Sequence, residues 1–225
     1  MNLQAVCSVM YWLLAVRAQS IDSTESEYDN DYDEVPAIKI ERPKKPSNKG
    51  TGNVVHSIVQ FLSTTEKIWV YNSTEKSNKI CSVDVMDDVT PFYANMTRYY
   101  ISDGVIKNIT AEALYDIHPI FATTADPYNE MQIQTSATRE PYETLLYQSN
   151  DSECGVFFMN YHNDLSLPDG TWFELRLRNS SIEKGPHENC SLMWEYVTQY
   201  QTARYSYTPS CQCIFAQRSY VKRQG

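Results

Sequence analysis

The chain has 225 residues, 42% of them apolar and 21% charged, with only 7 Gly and 10 Pro, which excludes collagen-like and wholly disordered readings. Nineteen basic side chains stand against 28 acidic ones, a net charge of -9 that argues against a nucleic-acid binder, since such a protein needs a basic face to displace phosphate counterions. Six cysteines make a disulfide framework possible once the mature chain is defined.

Residues 1–18, MNLQAVCSVMYWLLAVRA, carry an apolar stretch from Ala5 to Val16 that is too short to span a bilayer and matches a signal peptide; Val16 and Ala18 place small residues before a cut at Gln19. Cleavage removes Cys7 and leaves Cys81, Cys154, Cys190, Cys211 and Cys213, an odd set that predicts two bridges and one cysteine left free or intermolecular. Sequons at Asn72, Asn95, Asn108, Asn150, Asn179 and Asn189 exceed the roughly two to three expected by chance and predict a secreted glycoprotein, with Asn189 poorly used because Cys190 follows it.

Residues 19–53 read as one disordered segment with two charge blocks. QSIDSTESEYDNDYDEVP (19–36) holds seven acids and no base, too few aliphatics to offset its ordering entropy, and residues 37–49 reverse the sign to +4. Tyr28 and Tyr32 among these acids are candidate sulfation sites that would dock on a basic host protein.

Order is predicted from Val54. VVHSIVQFL spaces Val54, Ile58, Phe61 and Leu62 as one face of a short amphipathic helix. Nine short β-branched or aromatic runs follow, at 67–73, 79–86, 95–101, 105–111, 114–121, 131–136, 142–148, 154–160 and 172–179, many separated by Asp, Asn, Pro or Gly clusters, and they predict an antiparallel sandwich or barrel. In the last run Glu174, Arg176 and Arg178 alternate with Phe173, Leu175 and Leu177; the polar face either meets solvent or lines a cavity, and periodicity does not choose. SLMWEYVTQY (191–200) predicts a helix outside the sheet, packed through Leu192, Trp194, Tyr196 and Val197.

The ordered blocks IVQFLSTTEKIWVYNST, KICSVDVM, ECGVFFMN, WFELRLRNSS and ENCSLMWEY, closed by a final Cys-containing strand, resemble the salivary lipocalins of ticks, the histamine-binding-protein family, over about residues 54–215. The resemblance implies a lipocalin domain over 54–225, an all-β fold: an eight-stranded antiparallel barrel with a short N-terminal and a C-terminal helix, in which 105–111 and 114–121 form one strand interrupted around Ala113. It implies a bridge Cys154–Cys190 and one from Cys81 to either Cys211 or Cys213; the doubled CQC departs from the family pattern, and Cys81–Cys211 is the favoured choice, with Cys213 left free or intermolecular.

For function, the resemblance implies sequestration of a small host mediator, a biogenic amine such as histamine or serotonin, in the service of host immune evasion. Carboxylates would meet the ammonium, and aromatic walls would exclude water. It places Glu143 and Glu174 as the acids, with Trp69, Trp172, Tyr142 and Tyr100 as candidate wall residues; another family acid would fall near Asn72, here a sequon. Should Arg176 and Arg178 face inward, a fatty acid or leukotriene carboxylate is the alternative, and a host protein bound by the surface or acidic tail is the third.

No enzyme signature is present: G-x-S-x-G, H-E-x-x-H, P-loop and C-x-x-C are all missing, and His56, His118, His162 and His187 lack ligand spacing. The expectation is therefore a monomeric binding protein with no cofactor, metal, nucleic-acid or membrane partner.

Overall fold

The computed structural model describes residues 54–135, 141–161, 170–199 and 201–214. The signal segment, the charged segment 19–53 with Tyr28 and Tyr32, and His162 lie outside the described residues. The chain divides into two compact units, one covering Arg42–Thr208 and the other including Pro209–Gly225. Of the second unit, the described residues form a 3-10 turn over Pro209–Gln212 where a Cys-containing strand was expected.

In the larger unit α1 (Ile58–Leu62) precedes β1 (Ile68–Ser73), β2 (Ile80–Val89), β3 (Tyr93–Ser102), β4 (Val105–Asp116), β5 (Glu130–Gln134), β6 (Tyr142–Gln148), β7 (Cys154–Asn160) and β8 (Thr171–Arg178). Then come α2 (Glu188–Thr198) and a two-residue β9 (Tyr205–Ser206). Every strand from β2 to β8 pairs antiparallel with its sequence neighbour, and β1 pairs with both β2 and β8, closing an eight-stranded barrel. The short β9 adds to β1 at Asn72 and Ser73, beyond the stretch that β2 covers.

The runs 105–111 and 114–121 do merge, but the joined strand is unbroken at Ala113 and ends at Asp116. The Asp116 carboxylate accepts from the Ile117 amide, and Pro119, which lacks a backbone donor, follows, so 117–121 leaves the sheet. In α1, Ser57 caps the N-terminus by accepting from the Gln60 amide, while Ile58, Phe61 and Leu62 join the barrel core. Val54 lies before the helix and is exposed. In α2, Trp194 is buried as expected, together with Cys190 and Thr198, whereas Tyr196 faces solvent.

The Cys154–Cys190 bridge forms and ties β7 to α2. No described cysteine is free, so the expectation that Cys213 is left over is not met.

Cross-strand partners in an antiparallel ladder share a face, so the register sorts the side chains. Ile68, Asp84, Arg98 and Ile109 stand opposite one another across β1 to β4, as do Met131, Glu143, Met159 and Trp172 across β5 to β8, and Met131, Met159 and Ile68 belong to the core cluster. Position 174 pairs with Phe157, another core residue, and 176 with Gly155. On β8 the polar face is therefore the interior. Leu175 and Leu177 point outward and are nonetheless buried, because α2 packs across β7 and β8. Gly155 is required on the inner face: a Cβ there would lie 2.9 Å from Phe61 Cε2 and 3.1 Å from Leu145 Cδ1.

Candidate functional site

Five charged side chains meet inside the barrel: Asp84 from β2, Arg98 from β3, Glu143 from β6, and Glu174 and Arg176 from β8. Arg98 straddles two carboxylates. Its Nε and Nη2 donate to the Asp84 oxygens at 2.6 and 2.8 Å, and its Nη1 and Nη2 donate to those of Glu143 at 2.7 and 3.1 Å. Arg176 donates twice to Glu174 Oε2, at 2.8 and 2.6 Å, lies 2.6 Å from Glu143 Oε2, and places its guanidinium carbon 4.5 Å from the Phe157 ring centroid. The other Glu174 oxygen accepts from Trp172 Nε1 at 3.1 Å.

Burial and charge work against each other here. Glu143 is fully buried, which by itself pushes its carboxyl up, but Arg176 and then Arg98 outweigh that and hold it down at about 2. Burial likewise pulls both guanidinium groups down, and the facing carboxylates reverse this, so each arginine is held above its ordinary range. Three carboxylates against two guanidinium groups leave the cluster with a formal charge of -1.

Of the residues singled out from sequence, the structure brings Glu143, Glu174 and Trp172 together. Tyr100 shares the inward phase of Arg98 but lies two residues further along β3, where Lys79 Nζ sits 5.7 Å from its ring centroid. Trp69 and Tyr142 are on the opposite face. Trp69 is buried, donates from Nε1 to Asn179 Oδ1 at 2.9 Å and meets the Tyr207 ring edge-on, so it belongs to the outer layer of the barrel. Tyr142 pairs with Asn160 and precedes the inward Glu143, so alternation turns it outward.

Asn72 pairs with the outward Leu175 beyond a β-bulge, which places it off the lumen. Asp84 and Arg98 were not singled out. Their signal is the phase they share with Met86 and Met96 on β2 and β3. Arg178, one step beyond Arg176 toward α1, donates to the Phe61 carbonyl and takes no part in the cluster.

A void of about 10 Å³ borders Arg98 and is walled by Met96, Ile109, Ala111 and Ile133. A larger cleft of about 360 Å³ is lined by Thr74, Lys76, Trp172, Phe173 and Arg204, among others. Trp172 lines this cleft and also donates from Nε1 to Glu174.

An eight-stranded antiparallel barrel with next-neighbour pairing, closed by its first strand and flanked by an outer C-terminal helix, defines the architecture. The fold is that of a lipocalin. No family model and no curated protein matches the chain. Among solved structures, the chain is similar to AM182 in complex with serotonin (14% identity, 65% of this chain and 85% of that one, TM-score 0.48). It is also similar to the siderocalin Ex-FABP (9%, 65% and 89%, TM-score 0.43) and to Japanin from Rhipicephalus appendiculatus bound to cholesterol (10%, 60% and 87%, TM-score 0.37).

Proposed function

We propose that this lipocalin barrel is a secreted carrier that binds a small monocationic amine, of the histamine or serotonin type, and removes it by stoichiometric capture. The observation that carries the reading is the charge of the lumen: three buried carboxylates face two guanidinium groups, and one added cation brings the cluster to neutrality. A lipid carboxylate has the opposite sign. It would raise the deficit to -2 and would have to take Arg98 or Arg176 from carboxylates that already hold them. Trp172 and Phe157 supply aromatic faces beside Glu174 and Arg176, where cation–π contact is worth about 0.5–2 kcal/mol each.

Titration calorimetry of the mature protein against histamine, serotonin, leukotriene and arachidonate tests the assignment. Heat is expected with an amine, and Glu174→Gln should weaken it by about tenfold or more, equivalent to roughly 1.4 kcal/mol. Heat with arachidonate or leukotriene and none with either amine refutes the reading. The charge of segment 19–36, seven acids and no base, favours one second reading, in which the surface or this acidic segment binds a host protein; deleting 19–36 would then abolish a host-protein interaction and leave amine titrations unchanged.

A further inference from the structure

The contacts of the five charged groups show which cation in the cluster is exchangeable. Arg98 and Arg176 differ in how firmly they are held. The Arg176 side chain is 1% exposed, binds all three carboxylates and covers Phe157. The Arg98 side chain is 14% exposed, contacts only Asp84 and Glu143, and borders the one void described in the lumen.

We infer that Arg98 is a built-in surrogate ligand: its guanidinium fills a cation site formed by Asp84 and Glu143, and a small planar cation of the guanidinium or amidinium type takes that site when Arg98 swings out. This rests on reading the lumen as a cation site and names the group that guards it. Exchanging one cation for another leaves the cluster charge at -1, so the swap avoids the large penalty of unpairing buried carboxylates. The displaced guanidinium, on a long flexible stem and already partly exposed, recovers its hydration. The geometry selects the incoming group. Four N–H donors currently meet four carboxylate oxygens in two forked pairs, an arrangement that a planar multi-donor cation reproduces and a single ammonium meets only at points. Arg98 thereby acts as an intramolecular competitor that sets the affinity for any external cation.

The test uses full-length protein and methylguanidinium as the probe, read by thermal melting. Arg98→Ala should melt below wild type, and millimolar methylguanidinium should restore most of the lost Tm, with methylammonium less effective. Wild type, where Arg98 competes for the site, should respond only at higher methylguanidinium concentration and with a smaller rise in Tm, and the Arg98→Ala/Asp84→Asn double variant should lose the rescue. A folded Arg98→Ala protein indifferent to methylguanidinium, or rescue equal in the double variant, overturns the inference. If Arg98→Ala does not fold, Arg98→Lys supplies the readout: its point contacts leave forked acceptors unmet, so methylguanidinium should still raise its Tm, and a flat response is equally fatal. None of these measurements involves the natural ligand. Failure of both histamine and serotonin to bind wild type would refute the proposed function and leave the Arg98 result standing.

Discussion

Replacing Arg176 by Met tests whether the buried charges act as one coupled unit. The side chain keeps most of its length and can still lay a thioether on Phe157, so the main loss is the charge and its donors. Three contacts shorter than 3 Å to Glu174 and Glu143 disappear at once, all in a region nearly closed to water. Removing one partner of such a buried pair typically costs about 3–5 kcal/mol, since the orphaned carboxylates remain desolvated.

The cost should depend on pH, and its sign follows from Glu143. With its folded pKa held at about 2 against an ordinary value of 4.5, Glu143 stabilises the wild type above pH 4.5, and that contribution is lost as pH falls toward about 2. Without Arg176 the carboxyl titrates higher, so the variant has less of this contribution to lose. Urea melts at several pH values should therefore show a gap between variant and wild type that is widest near neutrality and narrows as pH falls through this window. A gap below about 1 kcal/mol at neutral pH, or one that stays constant down to acid pH, would show that the arginine is not coupled to the carboxylates as described.

Two further substitutions probe the scaffold. Gly155→Ala places a methyl 2.9 Å from Phe61 Cε2 and should destabilise by about 1–3 kcal/mol, measured by urea melts; a neutral result would mean that α1 shifts freely at the end of the barrel. Breaking Cys154–Cys190, with its sequence separation of 36, by a Cys154→Ser/Cys190→Ser pair should cost about 4 kcal/mol on loop-closure grounds and lower the melting temperature, whereas an unmoved transition would show that α2 is held on β7 and β8 by packing alone.

The barrel was legible because its signal is local. Runs of β-branched and aromatic residues end at turn-forming clusters, and each strand boundary fell within a few residues of the structure. The exception, LYDIHPIF, looks like a strand by composition, but its second half leaves the sheet at Ile117 and Pro119. Which face is the interior was not local. On β8 the apolar residues Leu175 and Leu177 face outward under α2 while Glu174 and Arg176 face in, the reverse of a simple amphipathic strand, and that assignment depends on a helix and on cross-strand partners distant in sequence. Glu143 and Glu174 came through family likeness. Alternation alone already forbade Tyr142 and Glu143 from sharing a face, so the choice of Tyr142 as a wall residue contradicted the sequence's own period. Asp84 and Arg98 could be paired only once Asp84 was known to lie opposite Arg98 in the ladder.

The two residues of β9 have a consequence beyond the site. From Asn72 onward β1 has lost β2 as a neighbour, and at that point Tyr205 and Ser206 take up its backbone groups. Unclaimed, this stretch would be a short open edge, a template on which another chain could lay a strand. With it covered, the barrel's hydrogen-bonded girdle offers no seam at β1 for recruitment into larger β-assemblies. The proposed stoichiometric capture would require the protein to accumulate in quantity, and the covered seam leaves no strand template there as it does.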